Sequence, residues 1–229
     1  MLYMPFDELY IFLVLPAIIF ATWAQYRVTS SFRKYSKQGS IRGMTGAGAA
    51  QAVLNDAGVT GVRIERVQGR LTDHFDPRAN VIRLSEDVYD SPSIAAIGVA
   101  AHEAGHAIQY AGAYFPMKIR SAIIPVTNIG SKMSIPLVLI GIMLDMTGLI
   151  NIGILLFGLV VLFQLITLPV EFNASRRAIS ILDKSGVLTR EEIPASRKVL
   201  TAAALTYVGA LAVSLAQLLR FMTIAGRRR

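Results

Sequence analysis

Four long apolar runs decide what this chain can become. They cover residues 9–26, 123–144, 149–170 and 201–224, and each approaches or exceeds the ~20 residues a helix needs to cross a hydrocarbon core of roughly 30 Å. A chain of 229 residues that commits so much length to such runs has room for one small domain besides. Only 17% of the residues are charged and the mean hydropathy is +0.50, against about 25% charged in a typical soluble domain. Disordered, collagen-like and coiled-coil chains are thereby excluded. The expected fold class is a predominantly α membrane protein, with about four transmembrane helices and a small α+β domain.

The first run does not read as a cleaved signal peptide. Such a signal needs a positive start and a small-residue cleavage site, whereas this run is preceded by Asp7 and Glu8 and closes on Trp23 and Tyr26. Lys and Arg number twelve in residues 27–120, six in 171–199 and none in the link 145–148. The positive-inside rule then places 27–120 and 171–199 in the cytosol, with the N-terminus and the link outside. Two features disagree with a simple fourth span: it carries Ser214, Gln217 and Arg220, and its crossing would leave Arg227, Arg228 and Arg229 outside. Length alone favours a full span. The net charge of +8 fits lysine and arginine flanking membrane spans, and no nucleic-acid partner is expected. The expected organisation is an N-terminal transmembrane anchor (1–26), a domain before the second span (27–120), a helical hairpin in the bilayer (121–170), a second cytosolic segment (171–199), and a fourth membrane helix with a basic tail (200–229).

Within 27–120, Thr45 reads as the N-cap of a helix over 46–57 that stops at Gly58. Three strand-like pieces follow at 62–67, 70–74 and 80–84, with a turn at Asp76, Pro77, Arg78 and Ala79. They suggest a small meander or hairpin. Ser91 and Pro92 then read as the N-cap and first residue of a further helix, on which Ile94, Ile97, Ala101 and Ile108 form one stripe.

Displaced from that stripe lies His102, Glu103, Ala104, Gly105, His106, the pattern H-E-x-x-H. Residues four apart on a helix project one above the other, so both imidazoles can reach one ion while Glu103 stands beside them. The chain has no cysteine, so a metal site must draw on His, Asp, Glu or water. A structural zinc site usually wants thiolates. A catalytic one accepts His nitrogen, holds a water whose pKa falls toward ~7, and can use the adjacent Glu to take and return a proton.

Such a site needs a third protein ligand. The longer metzincin pattern fails, because Gln109 and Gly112 stand where it needs Gly and His. His74 is the remaining histidine, and it could also be a group near the metal on the substrate side or simply a solvated one. Glu171 stands out among carboxylates: it follows Pro169 at the end of the third run and begins a segment in which Ala174, Ser175 and Ala178 share its helix face. Two small residues there would let it approach Ala104 and Gly105 closely. An even number of spans separates His106 from Glu171, which returns the carboxylate to the compartment of the histidines.

The basic stretch 26–43, LTDHFDP at 71–77, SIAAIGVAAHEAGHAIQ at 93–109 and VEFNASRRA at 170–178 resemble the bacterial membrane zinc metallopeptidases of the YugP type, themselves distantly similar to gluzincin membrane proteases of the HtpX group. The resemblance implies a zincin-like catalytic domain with Zn2+ held by His102, His106 and Glu171, and Glu103 as catalytic base. The wider gluzincin pattern often places Asp four residues after the ligand Glu to hold an imidazole. Here that position is Ser175, which leaves the supporting role open between Ser175 and Asn173. Arg176 and Arg177 could anchor a peptide, or could serve only as basic residues at a span end.

The expected function is a zinc-dependent endopeptidase of the bacterial cytoplasmic membrane, its active site facing the cytosol and its substrate a peptide or membrane protein. One rival is an intramembrane protease of the site-2 type, with the motif inside a span and Asp145 as a later ligand. Another is a membrane scaffold that binds zinc without turnover.

Overall fold

A computed structural model describes residues 7–226; Arg227, Arg228 and Arg229 lie outside the described residues. The chain opens with a π-helical turn, Tyr10–Val14, and continues through helices α1 (Leu15–Tyr35), α2 (Gly46–Asp56), α3 (Glu86–Tyr89), α4 (Ile94–Ala111), α5 (Phe115–Met143), α6 (Thr147–Lys184) and α7 (Ile193–Gly226). Strands β1 (Arg63–Val67), β2 (His74–Asp76) and β3 (Val81–Ser85) lie between α2 and α3. Four helical stretches are long and apolar enough to cross a membrane: Tyr10–Tyr35, Phe115–Met143, Thr147–Lys184 and Ile193–Gly226. The molecule is a predominantly α membrane protein with a small mixed sheet.

The chain divides into two compact units, residues 1–24, 119–168 and 205–229 in the first and 25–118 and 169–204 in the second. In the first, Val138, Ile142, Ile150, Phe157, Val161, Leu211 and Phe221 form the core, while Ile19, Ile129, Leu155 and Leu219 stay exposed, as a lipid-facing surface would be. Helices approach closely where glycine permits it. A Cβ on Gly153 would stand 2.8 Å from the Ser134 carbonyl, and one on Gly209 would stand 2.9 Å from the Ala21 Cα. Small residues at helix contacts are how packing is gained where no hydrophobic force acts. Arg220 does not face lipid alone. It is buried, its Nε donates to both carboxylate oxygens of Asp7 at 3.1 Å, and its guanidinium lies 5.2 Å from the Tyr10 ring centre. An acidic start to the first helix thus answers the charge in the last.

In the second unit the three strands do not form a meander. The order is β1-β3-β2, with β1 parallel to β3 (Ile64 opposite Ile82) and β2 antiparallel to it (Phe75 opposite Ile82). The second strand in sequence lies at 74–76, so the expected piece at 70–74 is a strand only at His74. Asp76 makes the expected turn by accepting from the Arg78 and Ala79 amides. Val81, Ile82 and Leu84 are fully buried, which fits β3 taking the centre: among the three strands it alone is buried on both faces. Thr45 caps α2 as its sequence suggests, accepting from the Gly48 amide.

The start of α4 differs from the sequence reading. Ser93, not Ser91, is the N-cap, its hydroxyl accepting from the Ala96 amide at 3.2 Å. Residues 91–93 are held outside the helix because the Ser91 carbonyl accepts from Gly46 and the Pro92 carbonyl from Ser40. Helix α4 is then buried over most of its length, and two of its glycines mark the contacts that bury it. A Cβ on Gly98 would meet the Ser196 hydroxyl at 2.6 Å, and one on Gly105 the Ala174 carbonyl at 2.7 Å.

Candidate metal centre

The Gly105–Ala174 contact sets the site. With α6 this close to α4, Glu171, one turn before Ala174, faces His102 and His106. Its Oε2 lies 3.2 Å from Nε2 of His102 and 3.6 Å from Nε2 of His106. One ligand atom from each of the three residues lies within 4.8 Å of the others. The two rings stand nearly perpendicular, 81° apart, with centres at 4.6 Å. Glu171 is only 2% exposed.

The outer nitrogens are engaged as well, which fixes what the inner ones can do. Nε2 of Gln109 donates to the Val170 carbonyl at 2.8 Å and to Oδ1 of Asn173 at 3.0 Å. Both are acceptors, so Oε1 of Gln109 is the atom that faces Nδ1 of His106, at 3.0 Å. Nδ1 therefore carries the proton and Nε2 presents a lone pair. The orientation is pinned from further out by Arg177, whose Nε donates to the same Asn173 oxygen at 2.7 Å. His102 is held by Ser175, whose Oγ lies 3.1 Å from Nδ1 and can accept its proton.

Both residues left open by the sequence thus have a place. Ser175 touches His102 directly, and Asn173 acts on His106 through Gln109. The sequence reading gave Gln109 no role at all, although it lies one turn beyond His106 on the same helix and was legible there as a polar residue on a buried face.

Glu103 is 8% exposed, and its Oε2 accepts from the Phe75 amide at 2.9 Å. Strand β2 lies at the sheet edge, and Phe75 packs on Tyr110 of α4 with ring centres 5.8 Å apart. Burial pushes the Asp73 carboxyl above the usual range against the opposing Ser85 donors, and the charge of Glu103 adds to the rise. Burial likewise disfavours a charged His106, but its contact with Glu171 and the charge of Glu103 outweigh that and raise the imidazole above its ordinary value. Several carboxylates and two imidazole lone pairs in one poorly hydrated place are matched to a cation, since buried like charges otherwise cost several kcal/mol each. The donor set of two nitrogens and a carboxylate oxygen fits zinc with a coordination position to spare.

His74 and Asp145 do not belong to this group. His74 is exposed on β2, its Nδ1 2.8 Å from the Thr72 carbonyl. Arg176 lines a groove of about 460 Å³ between α6 and the start of α7, with Arg197 and Asp183 among the other lining residues.

Comparison with known proteins agrees with this geometry. The family model described as "Putative neutral zinc metallopeptidase" matches residues 10–226. The chain is 49% identical over 216 residues to the "Putative membrane protease YugP" of Bacillus subtilis (strain 168), covering 94% of this chain and 96% of that protein. No solved structure matches.

Proposed function

Because the chain belongs to the family described as putative neutral zinc metallopeptidases, we propose that it is a membrane-anchored zinc endopeptidase in which His102, His106 and Glu171 hold the metal and Glu103 is the general base. The observation that carries this reading is the convergence of both Nε2 atoms on Glu171, with the Glu103 carboxylate one residue away along α4 and held by a backbone donor. Zn2+ bound there supplies Lewis acidity toward a water and a peptide carbonyl.

The chain's own groups do the rest. Gln109 and Ser175 keep the imidazoles turned inward, as partners of metal-binding histidines commonly do. The Phe75 amide fixes the direction of the Glu103 carboxylate, so that it can take a proton from the attacking water and pass it to the leaving amine. The exposed edge of β2 lies beside Glu103, where an extended peptide can pair as an added strand. The four apolar helices hold the enzyme in the bilayer, and the basic loops favour a cytosolic site in the bacterial cytoplasmic membrane. The site-2 alternative loses its support: α4 is not among the membrane-length helices.

Purified protein in detergent, assayed on a casein-type substrate with and without chelator, tests the reading. Glu103→Gln should keep near-stoichiometric zinc and lose on the order of 10²-fold or more of the hydrolysis. Wild-type zinc binding with no hydrolysis would leave the non-enzymatic scaffold standing instead.

A further inference from the structure

Strand β2 is short for the task it carries. It has three residues, His74–Asp76, and lies at the edge of the sheet. Backbone donors of a strand point alternately to its two sides, so the Phe75 amide, which donates to Oε2 of Glu103 at 2.9 Å, is one that β3 does not use. That leaves His74 and Asp76 to bond β3. A ladder of two residues frays unless something else fixes its ends. The approach to the strand supplies no buried anchor: residues 68–72 are all exposed, and Leu71 stands in the left-handed region at φ 56°.

Asp73, immediately before β2, is where the chain is caught. Its Oδ1 accepts from the Ser85 amide at 2.7 Å, and the Ser85 hydroxyl lies 3.1 Å from both carboxylate oxygens. Ser85 is fully buried and occupies the N-cap position of α3, yet its side chain makes no cap bond there. A serine at that position ordinarily turns its oxygen to the first turn of the helix; this one is turned to Asp73. At the far end of the strand Oδ2 of Asp76 accepts from Nη1 of Arg83 at 3.0 Å. We propose that Asp73 is a positioning residue of the hydrolysis: its clasp on Ser85 holds β2 in place, and through the Phe75 amide it fixes the direction of Glu103. This role rests on Glu103 acting as the general base.

The bonds of residue 73, not its charge, are what the place requires. Burial and the charge of Glu103 both push the Asp73 carboxyl above its usual range, while the Ser85 donors work against them. Asparagine offers an oxygen to the Ser85 amide and an NH2 to the Ser85 hydroxyl, so it can close the clasp without a charge beside Glu103. Alanine cannot. A misdirected base is slow, since misplacing a reacting group by about 1 Å can lose on the order of 10²-fold in rate.

Asp73→Ala, Asp73→Asn, Ser85→Ala and Thr45→Ala would be compared with wild type in one detergent. The readouts are zinc content, thermal unfolding, kcat and KM on a casein-type substrate, and hydrogen exchange of the 73–77 amides. Asp73→Ala should keep its zinc, exchange the Phe75 amide at least roughly tenfold faster and lose about tenfold or more in activity, the loss falling on kcat more than on KM. Asp73→Asn should recover most of both losses. Ser85→Ala, which removes the hydroxyl from the other side of the clasp, should show the same losses in smaller measure, and it decides the matter should Asp73→Ala not fold. Thr45→Ala loses the cap of α2 and should unfold at a lower temperature with kcat unchanged. An Asp73→Ala protein that is less heat-stable but turns over at the wild-type kcat would make Asp73 a structural residue only and overturn the proposal. Asp73→Asn as slow as Asp73→Ala would overturn it too, because the charge and not the clasp would then matter. The exchange readout needs no activity: wild type that binds zinc and hydrolyses nothing would end the protease reading, whereas unchanged Phe75 exchange in Asp73→Ala would refute the clasp by itself.

Discussion

Oε1 of Gln109 faces Nδ1 of His106 at 3.0 Å, and the amide can face no other way, because its nitrogen is spent on the Val170 carbonyl and the Asn173 side chain. One fully buried residue thereby ties the orientation of an imidazole on α4 to the backbone of α6 that carries Glu171. A chain of donors and acceptors that starts at Arg177 ends at Nδ1 of His106 and leaves its Nε2 turned toward Glu171.

That arrangement makes Gln109→Leu informative. Leucine fills a similar space but leaves Nδ1 of His106 without the acceptor that holds it. Zinc affinity should fall by about 10- to 100-fold, the usual cost of losing a group that holds a metal-binding histidine. Competition with a chelator measures it, and an unchanged Kd would mean that Gln109 serves packing alone.

Glu171 is tested by removal. Glu171→Ala would leave two imidazoles, and a two-ligand site should lose its zinc to a mild chelator. Asp145→Ala and His74→Ala should keep zinc near wild-type content, as neither residue belongs to the converging group. Full zinc in Glu171→Ala, with loss in either of the others, would overturn the ligand set.

How much of this was legible in sequence follows from how local each feature is. His102 and His106 share a face because helix geometry is local, and Glu171 could be placed because Ala174 and Gly105 are small: a Cβ on Gly105 would stand 2.7 Å from the Ala174 carbonyl. The pairing of β1 with β3 was not legible. Strand order depends on which strand can be buried on both faces, and the residues between 68 and 80 permit either a hairpin or a crossover. The cap of α4 was missed for a similar reason: Ser91 and Ser93 are equal candidates by type, and only the pairing of 91–93 with residues 40 and 46 decides between them.

The pair of Asp7 and Arg220 predicts a stability effect. Asp7→Leu removes the carboxylate that pairs with a buried guanidinium, at a cost of about 3 kcal/mol. Asp7→Leu/Arg220→Leu removes both charges and should recover most of that loss. Thermal unfolding in one detergent compares the three proteins, and a double variant no better than the single one would show that the pair is not what satisfies Arg220.

Sidedness is the remaining expectation, and the absence of cysteine makes it easy to test. Single cysteines at Gln38 and Thr147, both exposed positions, report on the basic loop after α1 and on the link between α5 and α6. The link has no lysine or arginine, while residues 27–120 hold twelve, so the positive-inside bias places them on opposite faces of the membrane. In intact cells a membrane-impermeant thiol reagent should therefore label Thr147→Cys and spare Gln38→Cys until the membrane is opened. Because residue 38 bonds the first amide of α4 through its carbonyl, the label at this position also reports the compartment of the helix that carries His102 and His106. Equal labelling of both in intact cells would place the zinc site outside the cytosol and redirect the search for its substrates to the other face of the membrane.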